Sequence, residues 1–295
     1  MVNVEQFNDW VVRYNYLFKV RYTKKQKKKF LQSFLTDLTA IRDDVELRGD
    51  KEDKNSYHIV VGNLEKARYV LATYYDTPAV YYGAYNFFDT KNQRKKTTYP
   101  IVFFAILMLI LGVILTYYVS IPVFNSAFTF KTALLVLFYI IYFWTFGKIT
   151  RGWPERNNTI RNNSSILFLL QYIADHPQSK FAFAFYDNGC QGDKSIQKIL
   201  AKLNKNTQTL YVLDTIGGTD NLSVVTNKEK QLYQNYFAEK IDGSLEANCK
   251  FLLTLTNNSE EIRRLFLSKE TLKSRKINKV NFTKLDAFFK QIERR

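Results

Sequence analysis

Charged residues stop at Lys96 and do not return until Lys131. Inside that gap, Pro100 to Val119 reads PIVFFAILMLILGVILTYYV, twenty uncharged, mostly apolar positions with no polar face. At a helical rise of ~1.5 Å per residue, such a run crosses a hydrocarbon core of ~30 Å. A second apolar run, Thr132 to Gly147, follows Lys131, whose long side chain can snorkel to an interface. The link from Ser120 to Ala127 is short and carries Pro122 and Asn125. The pattern predicts a two-helix transmembrane hairpin over residues 97–148. The alternative, a pair of core helices in a soluble protein, requires a polar face that these residues lack.

Outside the gap the apolar positions fall into shorter periods. Phe7, Trp10, Val11, Tyr14 and Leu17 follow a helical spacing. Thr23 and Gln26 form a capping box that opens a helix with Phe30, Phe34, Leu38 and Ile41 on one face. Arg42 to Ser56 reads as a charged loop. Tyr57 to Val61 and Arg68 to Tyr74 read as strands, with a turn over Gly62 to Lys66. Beyond the hairpin, Ser164 to Ile173 predicts an apolar helix. Lys180 to Tyr186 alternates Phe181, Phe183 and Phe185 with Ala182 and Ala184, the mark of a strand buried on both faces. Asp193 to Leu203 reads as a helix and Leu210 to Ile216 as a buried strand closed by Gly217 and Gly218. A helix over Lys228 to Lys240, a strand over Lys250 to Thr256 and an amphipathic helix over Phe282 to Ile292 complete the chain. This alternation predicts an α/β fold with a mainly parallel sheet flanked by helices. Residues 1–96 and 149–295 would be two parts of one domain, interrupted by the hairpin.

Composition narrows the function. The net charge of +16 asks for an acidic partner or surface. Lys91, Arg94, Lys95 and Lys96 precede the hairpin, and Lys148, Arg151, Arg156 and Arg161 follow it, while the tip has no acidic residue. Positive flanks belong in the cytoplasm, so both termini are expected there. The opening MVNVEQFNDW has no signal-peptide pattern. The sequons at Asn157, Asn162, Asn163, Asn221, Asn257 and Asn281 would then escape glycosylation. Lys24, Lys25, Lys27, Lys28 and Lys29 load the first turns of one helix. They form either a solvated face or a contact with anionic headgroups, each lysine then contributing ~1 kcal/mol. No zinc-finger, helix-turn-helix or RNP signature points to nucleic acid. Two cysteines exclude a disulfide scaffold, and two histidines exclude a His-rich metal site. The bias toward Lys, Asn, Ile, Phe and Tyr fits an AT-rich, bacterial genome.

Reactive groups of open α/β sheets lie at the carboxyl ends of strands. Reading those ends gives YYDTPAV (Tyr74 to Val80), YDNGCQG (Tyr186 to Gly192) and LDTIGG (Leu213 to Gly218), joined by RNNSS (Arg161 to Ser165) on the return from the hairpin. In this order the four stations resemble the family-28 metallopeptidases, which include zinc aminopeptidases and glutaminyl cyclases. The resemblance covers roughly residues 1–90 and 155–295 and implies a three-layer zinc-peptidase-like sandwich. It places Tyr74 where the family has its first His ligand, Asp76 at a supporting carboxylate, and Asn162 at the bridging Asp. Gly189 matches the general-base Glu, Cys190 the next Glu ligand and Asp214 an acidic ligand. No His follows His176 to supply the last one.

These departures weigh against the family's reaction. A phenol, an amide, a glycine and a thiol cannot balance two zinc cations or take a proton from water as carboxylates and imidazoles do. The expectation is a membrane-anchored pseudopeptidase with no metal and no cofactor. It would bind the lipid bilayer and a further membrane protein or a peptide. The alternative is a metal-dependent aminopeptidase-type hydrolase whose rebuilt site draws on Asp76, Asp187, Cys190 and Asp214.

Overall fold

The computed structural model describes residues 2–294 apart from 51, 82, 126–128, 193, 227–237, 241–247 and 257–264. The chain divides into two compact units. One comprises residues 1–78, 83–90 and 155–295, the other residues 79–82 and 91–154.

The first unit is built on a sheet. Its strands are β1 (Val45–Gly49), β2 (Tyr57–Val61), β3 (Tyr69–Tyr74), β5 (Ala182–Tyr186), β6 (Thr209–Leu213), β7 (Asn221–Thr226), β8 (Ala238–Lys240) and β9 (Cys249–Leu255). They are ordered β1-β2-β5-β3-β6-β9-β7-β8, while the short β4 (Tyr85–Asn86) and β10 (Phe266–Leu267) pair separately. Parallel pairing is confined to β5-β3-β6-β9 at the centre and β7-β8 at one edge. The β1-β2, β2-β5 and β7-β9 pairs are antiparallel, so the sheet is mixed rather than mainly parallel. The helices are α1 (Val4–Val12), α2 (Lys24–Thr39), α6 (Ser164–Asp175), α7 (Lys194–Leu200), α8 (Lys269–Lys273) and α9 (Lys279–Glu293).

Strand alternation builds two different layers. Leu71, Phe183, Phe185, Tyr211 and Leu213 point to one face, where they pack with Phe30 and Phe34 of α2, Phe168 and Tyr172 of α6, and Phe288 and Phe289 of α9. Val70, Ala72, Ala182, Ala184 and Val212 point to the other, against Ile196, Ile199 and Leu200 of α7. The Phe/Ala alternation of β5 therefore sets a thick aromatic layer against a thin aliphatic one. The result is α/β with helices on both faces.

Several expectations fail for identifiable reasons. The charged stretch 42–56 contains β1, an edge strand whose VELRG sequence leaves Leu47 exposed, so polarity hides it. Leu17 is 71% exposed rather than inward, because Arg13–Leu17 forms a π-turn that breaks the 3.6-residue period after Tyr14. Residues 238–240 form a strand beside β7, not the end of a helix, and residues 228–237 lie outside the described part. The capping box of α2 forms as the sequence demands, Thr23 accepting from Gln26 N and the Gln26 side chain accepting from the N-cap backbone.

The second unit is a helical hairpin. Its first arm is helical from Lys91 to Phe124, through α3 (Thr90–Leu115), a π-turn (Thr116–Ser120) and α4 (Ile121–Phe124). Its second arm is α5 (Phe130–Arg151). Both are long and apolar enough to cross a membrane; the apolar window of the first has no residue buried within the protein, and that of the second 17%. Ser120 to Phe124, expected in the link, continue the helix, with Pro122 in the first turn of α4. Tyr142 Oη donates to Met108 O, and Tyr139 Oη lies 2.8 Å from both Thr116 Oγ1 and Ser120 Oγ. These pairings run antiparallel, which brings Arg94, Lys95 and Lys96 to the same end as Lys148 and Arg151. A Cβ at Gly112 would fall 2.4 Å from Tyr142 Oη, so the crossing needs glycine there.

Candidate functional site

Strands β5, β3 and β6 are parallel neighbours, so Tyr186, Tyr74 and Leu213 end along one edge of the sheet. The chain leaves that edge through three of the stations. The fourth, Thr159–Asn163, is a π-turn leading into α6. Hydrogen bonds tie all four together. Thr215, at φ 53, donates its N–H to Arg161 O at 2.7 Å, and Asn162 Nδ2 donates to Asp76 O at 2.7 Å.

Asp214 is the centre of one cluster. Its carboxylate accepts from Tyr74 Oη at 3.1 Å and from Tyr85 Oη at 2.8 Å. Tyr74 Oη in turn accepts from Arg161 Nε at 2.9 Å, and the Arg161 guanidinium lies 4.1 Å from the Tyr85 ring centroid. All four side chains are buried. Burial pushes the Asp214 carboxyl up to about 6, opposed by the Arg161 charge and the two phenols. Burial, with Asp214 alongside, also holds the Tyr74 phenol protonated well above its ordinary range. A cation is thus built into the side chains around Asp214.

Asp76 centres the other cluster. Its carboxylate accepts the Gly189 N–H at 2.9 Å and the Cys190 N–H at 3.3 Å, and its carbonyl accepts from Cys190 Sγ at 3.1 Å. Burial and the neighbouring Asp187 push it up to about 6, against Lys27 and the two amides. Asn162, which the sequence resemblance matches to a bridging Asp, is engaged at both ends: its Oδ1 accepts from Arg21 Nη2 at 3.1 Å while its Nδ2 donates to Asp76 O at 2.7 Å. Arg21 is fully buried, donating to Tyr75 O, Phe18 O, Asn162 and Asn163, and burial pulls it down to about 10. Lys27 Nζ reaches Asp187 Oδ1 at 2.5 Å, and Asp187 N donates to His58 Nδ1 at 3.3 Å. His58 therefore touches the third station.

Gly189 lines the wall of Tyr74. A Cβ there would fall 2.2 Å from Tyr74 Cβ and 2.5 Å from its Cγ, so no side chain fits. Cys190 is half-buried, and burial with Asp76 raises its thiol well above the usual range, which makes it a poor nucleophile. Among the described residues, no three His, Cys, Asp or Glu side chains gather to hold a metal ion. The donor set does not fit a zinc pair. Arg21, Arg161 and Lys27 already offset Asp76, Asp187 and Asp214, and the phenols are protonated, so the carboxylates are engaged with fixed cations and not gathered around a common metal position.

The edge of the sheet thus brings together Tyr74, Asp76, Asn162, Gly189, Cys190 and Asp214. Sequence reasoning missed Arg21, Lys27, Tyr85 and the role of Arg161, because each is joined to the site by folding and not by spacing. Of the basic residues assigned to a membrane surface, Lys24, Lys25, Lys28 and Lys29 are exposed on α2, whereas Lys27 turns inward. In the hairpin unit, Arg94, Lys95 and Arg151 are exposed, and Lys148 Nζ stacks 3.4 Å from the Trp144 ring.

Neither a scan against protein-family models nor a search of curated proteins gives a match. Solved structures do resemble the chain. Glutaminyl cyclase from Porphyromonas gingivalis superposes with a TM-score of 0.51 at 11% identity, covering 99% of this chain and 98% of that one. Glutaminyl cyclase from Tannerella forsythia gives 0.52 at 9% identity, covering 98% and 97%. LapB from Legionella pneumophila gives 0.50 at 12% identity, covering 99% and 73%. At such identities the likeness concerns the fold alone: this chain has a peptidase-like α/β fold of the kind found in the glutaminyl cyclases.

Proposed function

We propose that the protein is a membrane-anchored pseudopeptidase. Its peptidase-like domain, held at the cytoplasmic face by the hairpin, binds a peptide or a membrane-protein partner without turnover. One observation carries this reading: Asp214, the acidic ligand type that remains, has its carboxylate bonded to the Tyr74 and Tyr85 hydroxyls beside the Arg161 cation. A metal there would have to compete with the Arg161 cation, whose burial is already offset by Asp214. The filled wall at Gly189 supports the same conclusion, since the general base has no room to return.

The test is metal analysis of the detergent-purified full chain after incubation with zinc, together with assays for aminopeptidase and glutaminyl cyclase turnover. The expected result is no stoichiometric zinc and no turnover above background. About one or two zinc ions per chain, with hydrolysis abolished by Asp214→Ala, would replace this reading with a rebuilt hydrolase.

A further inference from the structure

The N-terminal segment of the first unit carries exposed apolar and basic side chains, on two successive elements, that neither the core nor the peptidase-like site uses. After Tyr14 the π-turn swings Tyr16 and Leu17 out of the core, leaving them 60% and 71% exposed. Val12, one turn earlier, is 50% exposed. Seven residues beyond Leu17, α2 begins with Lys24, Lys25, Lys27, Lys28 and Lys29 and has no acidic residue in its first turn. Lysines here face the positive end of the helix dipole and one another, an arrangement that disfavours the helix. Lys27 escapes by turning in to Asp187. Lys24, Lys25, Lys28 and Lys29 are exposed and form no ion pair among the described residues.

We infer that this surface docks on anionic lipid headgroups, with the lysines over the phosphates and Tyr16 and Leu17 entering the interface. Exposed apolar side chains followed by unneutralised lysines fit a charged bilayer surface, which accepts both at once. Nucleic acid would use the charge but leave Leu17 in water. The inference rests on the membrane anchor, and the tether raises the local concentration of the bilayer for this face. Attraction of roughly fivefold per lysine makes the docked arrangement several hundredfold more favourable for four. It should fade at high salt, where the screening length shrinks from ~10 Å at 0.1 M to ~3 Å at 1 M.

The full chain is reconstituted into vesicles of phosphatidylcholine, alone or mixed with phosphatidylglycerol, and its lysines are labelled with an amine-reactive reagent read by mass spectrometry. Lys24, Lys25, Lys28 and Lys29 should be protected several-fold in the anionic vesicles at low salt, and the protection should vanish at high salt. The exposed Lys54 and Lys66 should label equally in both. An environment-sensitive fluorophore on Leu17→Cys should shift to the blue in the anionic vesicles. Equal labelling of the α2 lysines in both lipids, or protection that follows added DNA instead of phosphatidylglycerol, overturns the inference. Release of the chain from vesicles by alkaline carbonate would sink the anchor itself. The comparison between the two lipids would still decide the surface.

Discussion

Gly189→Ala tests the close packing of Gly189 against Tyr74, at the position that the sequence resemblance matches to a general base. The new Cβ would fall 2.2 Å from Tyr74 Cβ, 2.5 Å from Tyr74 Cγ and 2.8 Å from Tyr186 Cε2. Carbon atoms in contact stand ~3.5–4.0 Å apart, so the overlap exceeds an ångström. Tyr74 Cβ cannot swing away, because it is fixed directly to the Cα of β3, a strand bonded on both sides by β5 and β6. Its ring is held by Asp214 and Arg161. Overpacking alone costs about 1–3 kcal/mol. Shifting Tyr74 would also strip a buried carboxylate of a partner, for about 1–3 kcal/mol more. The expected loss is about 3–5 kcal/mol, and at roughly 2–4 °C per kcal/mol the melting temperature should fall by about 6–20 °C.

The assay is thermal and denaturant unfolding of the detergent-purified chain. Gly49→Ala is the control, since its Cβ would meet only Tyr57 Cε1 at 3.9 Å. Reduced freedom of the unfolded chain should leave that variant unchanged or slightly more stable. Equal melting of the two variants would refute the close packing. Gly189→Glu should be less stable still and should gain neither zinc nor hydrolysis.

Arg161→Leu should destabilise by about 3–5 kcal/mol at pH 7.5, because Asp214 would lose its compensating cation, and the loss should shrink near pH 5 as Asp214 protonates. Denaturant midpoints at the two pH values check this, and a loss independent of pH would speak against the pairing. Asp76, pushed up to about 6 in the fold, holds its proton more tightly than the unfolded chain, whose carboxyls titrate near 3.9. The stability it contributes is present below pH ~4 and is lost as pH rises through ~6, by about 3 kcal/mol. Asp76→Asn should therefore gain on the wild type by that amount between pH 4 and 7, and a constant difference would contradict it. Cysteines placed at the exposed Lys66 and Glu270 should resist an impermeant thiol reagent in intact cells and react after permeabilisation. Labelling of intact cells would reverse the orientation read from the flanking charges.

Much of the fold is legible where burial and period coincide. The alternation of β5 announces a doubly buried strand, and the Thr23–Gln26 box announces α2. Edge strands escape because one side faces solvent and needs no apolar run: β1 reads VELRG and hides among charges. The turn at Arg13–Leu17 escapes because a single added residue in a helix leaves no mark on composition, yet rotates everything after it. For the site, strand-end stations predict which loops meet, since parallel neighbours must end together. They do not predict what fills the meeting point. Tyr85 comes from β4, and Arg21 and Lys27 come from the segment before the sheet, so only folding brings them to Asp214, Asn162 and Asp187.

On the pseudopeptidase reading proposed above, the charges of the site follow one logic. A dizinc basin needs several carboxylates whose mutual repulsion is relieved by the metals. A chain that loses the metals but keeps the carboxylates would bury uncompensated negative charge, at several kcal/mol per group. In this chain the balance has two parts. Negative charge is absent where the resemblance expects acidic groups: Asn162, Gly189 and Cys190 are neutral, and burial keeps the Cys190 thiol protonated. Fixed positive charge is supplied where carboxylates remain: Arg161 beside Asp214, and Lys27 on Asp187 near Asp76. Each half requires the other. Restoring one acidic residue would add unbalanced charge beside Asp76 or Asp214, and removing one cation would leave a carboxylate alone. On that reading a single change at Arg161, Gly189 or Asn162 should cost stability without creating a metal site, which metal analysis of the three variants would check.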